Sequence, residues 1–384
     1  YSIAALSESV DARGYSLVLL GNGDVLVGGT CGSYRTDGSI LSGACVTKFT
    51  AVGVLDTSYA GGTGQAIVSD CGETRLVRVA ALSDGSALVV GRKRSDYTDI
   101  CVAKFTPSGE IDISFGQSGV VTLAITANQN EYPANIQVTG TGRILVLGTC
   151  DMPNPALGIS RFGCLVALNA DGSRDASFGN AGVAQIDVGF PGRQVINVWD
   201  IVPGDGGAFY VVATCTAGTS FDALCVTKHA ANGQVLPRSF NASSVLIATG
   251  LPHLVTSLPD DVYTDIPAQL LRDRDGFLLL AATCLPDGVS YSTCVARYRP
   301  DGTQDMAYGT GGIAKFSVGV GGDTIFRSAR MQQDGKVLLV SGYSGTSGST
   351  RVTRLLADGA PDTTFGLAGT SAYGAITSAD SFEA

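Results

Sequence analysis

The residues with the clearest chemistry are the sulfurs. The 384-residue chain holds ten cysteines, and eight fall into short-range pairs: Cys31 with Cys45, Cys150 with Cys164, Cys215 with Cys225, and Cys284 with Cys294. Each pair brackets a loop between two apolar, β-branched runs. The ends of such a hairpin approach the Cα separation of ~5.5 Å that a disulfide prefers. Cys71 and Cys101 remain. Cys101 holds the usual position in its repeat, Lys93 stands where its partner is expected, and Cys71 lies in the preceding connection, so Cys71 with Cys101 is the expected fifth bridge. A repeated spacing of this kind implies an oxidising compartment, whereas ten reduced thiols would leave the repetition without a cause. Zinc fits poorly, because no pair has a Cys-x-x-Cys spacing and the chain has two histidines. No metal or other cofactor is expected.

Linear catalytic signatures are missing. There is no Gly-x-Ser-x-Gly elbow, His-Glu-x-x-His pair, phosphate loop or calcium loop. His229 stands where other repeats carry Phe49, Phe105 or Tyr298 and reads as a core residue, while His253, in the longest connection, is the better binding candidate. Lys48, Lys104, Lys228, Arg297 and Arg354 recur at one repeat position and tempt an anion-site reading. Buried charges need partners, however, and Asp56, Asp112, Asp305 and Asp362 recur in the same units. Asp175 is expected to have no base in its own blade, because that position is Ala167, and a pairing between adjacent blades is the alternative. An aromatic residue stands in each cysteine-bracketed or equivalent loop: Tyr34, Tyr97, Phe162, Phe221, Tyr291 and Tyr343. Acids in the connections reaching the same end are Glu8, Asp11, Glu73, Glu131, Asp260, Asp261, Asp265 and Asp323. A rigid face bearing rings and acids suits stacking on sugars or docking a protein. Rings that merely cover their own hairpins are the plainer reading.

The elements that must position these groups are strands. Leu76 to Ile125 contains four short apolar runs separated by turn signals and no helical period, which describes one four-stranded antiparallel sheet. Its turn glycine recurs as Gly23, Gly85, Gly142, Gly207, Gly276 and Gly335, at intervals of about 60 residues. The apolar run after each glycine is buried on both faces, so each sheet needs a neighbour on either side. Radial repetition of four-stranded sheets is a β-propeller. We therefore expect an all-β, six-bladed propeller of four-stranded antiparallel blades. The repeats cover about 14–68, 75–125, 133–188, 195–249, 266–318 and 326–376 in a single domain. The fourth-strand pattern occurs seven times, because Ser2–Leu6 and Thr370–Ile376 both match Val120–Ile125. Closure of the ring by N- and C-terminal strands is therefore expected, a seven-bladed arrangement with a partial blade being the alternative. The redundant strand could also pair with another chain.

Asp-Gly-Lys-Val-Leu-Leu-Val from Asp334, the Asp-to-Phe-Gly turn at Asp112–Gly116, Asp175–Gly179 and Asp362–Gly366, and the Ala-Lys or Ala-Arg ending of the third strand resemble the delta-60 repeat proteins, a domain-of-unknown-function β-propeller family. The resemblance implies a bacterial, usually exported propeller with no shared catalytic residues.

Net charge −9 argues against nucleic acid and anionic membranes. No apolar run approaches the ~20 residues that span a bilayer. The first residue is Tyr, read as a mature chain or a fragment left by processing, and the expected location is secreted or cell-surface, with the periplasm as the alternative. The expected function is a non-catalytic binding or structural module for glycan or protein partners. The alternative is an extracellular hydrolase or lyase with paired carboxylates in the central funnel.

Overall fold

The computed structural model describes residues 9–34, 40–71, 77–94, 97–154, 158–186, 195–216, 222–240, 245–248, 268–285, 290–317, 323–343 and 349–373. Blade one comprises β1 (Ser9–Leu19), β2 (Val25–Tyr34), β3 (Ile40–Phe49) and β4 (Gln65–Val68). Blade two comprises β5 (Arg78–Ala81), β6 (Ala87–Arg94), β7 (Thr98–Phe105) and β8 (Val120–Leu123). Blade three comprises β9 (Glu131–Val138), β10 (Ile144–Asn154), β11 (Gly158–Leu168) and β12 (Val183–Ile186). Blade four comprises β13 (Val195–Pro203), β14 (Phe209–Thr216), β15 (Asp222–His229) and β16 (Val245–Ile247). Blade five comprises β17 (Gln269–Arg272), β18 (Leu278–Cys284), β19 (Ser292–Tyr298) and β20 (Ile313–Phe316). Blade six comprises β21 (Thr324–Met331), β22 (Val337–Tyr343), β23 (Ser349–Leu355) and β24 (Thr370–Tyr373). Each sheet pairs its strands antiparallel in chain order, giving an all-β, six-bladed β-propeller.

Every blade is one continuous stretch of chain. The expected exchange of a terminal strand is therefore corrected: Thr370–Tyr373 pairs with β23 of its own blade, in register from Thr350↔Tyr373 to Thr353↔Thr370. The local hairpin supplies the fourth strand before a distant terminus is needed. Ser2–Leu6 lies outside the described residues. Contacts divide the chain into two compact units, one ending at Gln185 and the other beginning at Ile186. Within each unit the first strands of successive blades meet, β1 with β5 and β5 with β9, then β13 with β17 and β17 with β21.

The period-two pattern of the second and third strands explains why the blades stack. In blade two, Val89, Cys101 and Ala103 face a cluster with Leu26, Val46 and Tyr59 of blade one. Their neighbours Leu88, Val90, Ile100 and Val102 face Ile136, Val146 and Val166 of blade three. Successive side chains point to opposite faces of a strand, so a continuous apolar run is buried on both.

A repeated device joins neighbouring blades at the turn end. The ring at the close of the Asp-to-Phe motif in one blade sits on the turn glycine after the third strand of the next. Tyr59 meets Gly109, Phe115 meets Gly172, Phe240 meets Gly302 and Tyr308 meets Gly359. Gly172 has φ +85°, and a Cβ there would stand 3.0 Å from the Phe115 ring and 2.9 Å from the Gly116 nitrogen. Both the backbone conformation and the space exclude a side chain. The Gly116 N–H also donates to the Asp171 carbonyl at 2.8 Å, and Gly309 does the same to Asp358 at 2.7 Å.

Candidate functional site

Antiparallel strands put the first-to-second-strand turns at one end of a blade and the second-to-third-strand hairpins at the other. The turn end holds the recurrent charges, and the structure pairs them. Asp56 meets Lys48 at 2.9 Å, Asp112 meets Lys104 at 2.9 Å, Asp305 accepts from Arg297 Nε at 2.7 Å, and Asp362 accepts from Arg354 Nε at 2.8 Å. Asp175 is not short of a base within its own blade: Arg143, directly after the turn glycine, donates Nε–H to it at 2.8 Å. The cation reaches the carboxylate from the neighbouring strand, a substitution that position-by-position comparison misses. Lys336, at the same place in blade six, likewise meets Asp362 at 3.2 Å.

The Ser58 hydroxyl, and then Lys48, hold the Asp56 carboxyl at about 2. Ser114 with Lys104, Ser177 with Arg143, and Thr364 with the bases around it lower Asp112, Asp175 and Asp362 in the same way. The cations also lie over rings of the same motif, Arg297 4.7 Å from the Tyr308 centroid and Arg354 4.6 Å from that of Phe365. In blade four Leu236 takes the aspartate's place in the backbone bridge to Lys228, one extra residue precedes Phe240, and Lys228 lies 5.2 Å from the Tyr210 centroid. In blades one, two, three, five and six the recurrent carboxylate and base satisfy one another, so this end is structural.

The hairpin end is fastened by the five disulfides expected from spacing. Cys31–Cys45, Cys71–Cys101, Cys150–Cys164, Cys215–Cys225 and Cys284–Cys294 have Cα separations of 5.8, 5.7, 6.0, 6.1 and 5.9 Å. Of the loop aromatics, Tyr97 is 43% exposed, and Phe162 and Tyr291 are half-buried. Tyr34 and Tyr343 end their strands, paired with Ile40 and Ser349. Phe221 and His253 lie outside the described residues, as do Glu8, Glu73, Asp260, Asp261 and Asp265. Asp323 accepts the Tyr291 N–H at 3.0 Å and so ties the blade-five hairpin to blade six.

Glu131 is not part of an exposed acidic face. Its carboxyl is fully buried, and Oε1 accepts the N–H groups of Thr126 at 2.8 Å and Ile125 at 3.3 Å, closing the connection between blades two and three. Burial pushes this carboxyl up to about 7 against those two donors, and the neighbouring charge of Asp99 pushes the same way. His229 is also enclosed. It stacks on Phe209 with centroids 5.1 Å apart, and its ring nitrogens meet Thr227 Oγ1 and the Gly233 carbonyl at 2.9 and 3.0 Å. Burial lowers it to about 4.

Sequence reasoning overlooked a polar network between blades two and three. Thr98, beside Tyr97, donates its N–H to Asn130 Oδ1 at 3.0 Å. Asn130 Nδ2 reaches Asp151 Oδ2 at 3.4 Å, and Asp151 N donates to the Asn130 carbonyl at 2.8 Å. Asp151, 3% exposed, accepts Arg161 Nε–H at 3.2 Å. The Arg161 guanidinium lies 5.5 Å from the Tyr132 centroid, and that of Arg92 lies 4.8 Å from the same ring. The signal was available in the hairpin register: Asp151 directly follows Cys150 and faces Arg161 across β10 and β11. Among the described residues no cluster of three or more His, Cys, Asp or Glu is placed to hold a metal. Among them, too, no helix is long and apolar enough to cross a membrane.

Residues 332–365 match the sequence profile of a family described as a domain of unknown function (DUF5122) beta-propeller. No curated protein matches the chain. Among solved structures, the chain is similar to a protein of unknown function from Dyadobacter fermentans, at 10% identity and TM-score 0.50, covering 90% of this chain and 96% of that one. It is also similar to an endo-arabinase from Bacteroides thetaiotaomicron, at 11% identity and TM-score 0.40, covering 74% and 92% of the two chains. A subtype N10 neuraminidase-like protein of A/little yellow-shouldered bat/Guatemala/060/2010 is similar at 11% identity and TM-score 0.46, covering 90% and 95% of the two chains. At these identities the likeness concerns the propeller fold alone.

Proposed function

We propose that this chain is an exported, non-catalytic propeller of bacterial type that binds partners outside the cell or at its surface, with glycan favoured over protein as the partner. The observation that carries the reading is Tyr97. It is an exposed ring on a hairpin fastened at Cys101 by a disulfide and at Thr98 by Asn130. An aromatic side chain has few rotatable bonds, so stacking against a sugar costs it little entropy. Five disulfides within 384 residues support an oxidising compartment.

The competing reading, a hydrolase or lyase, draws on Glu131 beside Asp99, a carboxyl with a raised proton affinity. A general acid must reach the atom it protonates. Glu131 is fully buried and its Oε1 is committed to two backbone donors, so it serves the connection rather than a substrate. The test is glycan-array binding by the purified chain and by Tyr97→Ala. The expected result is retention of defined oligosaccharides by the wild type and loss by the variant, with equal melting temperatures and no hydrolysis products. Binding indifferent to Tyr97, or cleavage abolished by Glu131→Gln, overturns the proposal.

A further inference from the structure

Arg161 differs from the bases at the turn end in what it leaves open. Its side chain is 48% exposed, and its Nε is taken by the buried carboxylate of Asp151. Among the described residues neither Nη group has a protein partner. The guanidinium is therefore held from behind by Asp151 and from its face by Tyr132, and its outer edge is turned to solvent. Asp151 is itself held by Asn130, which also holds the backbone of Thr98 next to the exposed Tyr97. One hydrogen-bonded chain thus runs from the Arg161 guanidinium to the backbone of Thr98, the residue after Tyr97.

A fixed fork with two open Nη groups matches the planar, two-oxygen acceptor of a carboxylate and can bond it bidentately. The net charge of −9 disfavours groups of higher charge density, such as phosphate esters. The exposed ring of Tyr97, adjacent in sequence to the far end of that hydrogen-bonded chain, adds a stacking surface of the size of one pyranose. We infer that Arg161 and Tyr97 form a subsite for a carboxylate-bearing sugar, a hexuronate, with Arg161 on the carboxylate and Tyr97 on the ring. This rests on the glycan-binding reading and names its ligand class.

The test is calorimetric titration with a galacturonate trimer, its methyl ester and a triglutamate peptide. The proteins are the wild type, Arg161→Gln, Arg161→Lys and Tyr97→Ala, each checked for folding by the fluorescence of Trp199, the single tryptophan. The wild type should bind the acid form at least about tenfold more tightly than the ester, with an affinity that falls as salt rises. Arg161→Gln should erase that preference. Arg161→Lys keeps a charge beside Asp151 but not the fork, and should retain a weaker preference. Tyr97→Ala should weaken both sugars. If Arg161→Gln binds acid and ester as the wild type does, the subsite is overturned while glycan binding stands. If triglutamate binds as well as the trimer and competes with it, the sugar assignment falls. If no sugar binds in either form, the subsite and the glycan reading fall together.

Discussion

The two ends of a blade use repetition differently. At the turn end, blades one, two, three, five and six each pair an aspartate with a cation, and the ring of the same motif closes against the next blade's glycine at the four described junctions. At the hairpin end the sulfurs recur, but the residues around them do not. At the position after the first cysteine or its equivalent, blade three sets Asp151 opposite Arg161, blade two sets Arg94 opposite Thr98, and blade one sets Gly32 opposite Ser42. A group that returns in every blade answers to a demand every blade shares, which is burial and joining. A group that appears once answers to something local, and recognition is local.

Changes at the turn end should cost stability and spare binding. Gly172→Ala places a Cβ at φ +85° against the Phe115 ring. Its expected cost is about 2–4 kcal/mol in denaturant unfolding, with sugar binding by the surviving folded protein unchanged. Loss of binding without loss of stability would reverse the assignment of the two ends.

The second effect lies at the hairpin end and depends on pH. Glu131 keeps its proton in the fold up to about 7, whereas the unfolded chain releases it near 4.5. The fold therefore binds the extra proton between these values, and the Glu131 contribution to stability is full below 4.5 and is lost as pH rises through 7. Buried neutral His229, lowered to about 4, acts in the opposite sense: its contribution is present above about 6.5 and is lost as pH falls through 4. Comparing wild type with Glu131→Gln cancels the histidine. The difference should swing by about 1–3 kcal/mol in favour of the variant between pH 4.5 and 8. A flat difference would mean that the carboxyl is not closed in.

The smallest effect tests whether every charge pair at the turn end is structural. Asp205 meets Arg272 across blades four and five, but its side chain is 82% exposed. Asp205→Asn should change stability by less than about 0.5 kcal/mol. A larger loss would extend the structural role to the exposed rim.

Much of this was legible in the residues. The Gly-apolar repeat defined the blades because a four-stranded sheet with two oily faces has few ways to bury both, and the cysteine spacing fixed the staples because hairpin register is local. The source of Asp175's cation was not legible, since a long side chain can reach the same carboxylate from either adjacent strand. Arg161 was hidden for a related reason. Comparing blades draws attention to what they share, whereas the Asp151–Arg161 pair becomes visible only when register is read along one hairpin.

The staples also bear on how the protein is made. Each bridge joins cysteines 10, 14 or 30 residues apart, and each blade is an unbroken run of chain. In a chain made from its N-terminus, the four hairpin pairs each close before the following blade arrives, and Cys71 waits for β7 of blade two. Oxidation can thus proceed in order along the nascent chain, and an isomerase has few mispairings to undo.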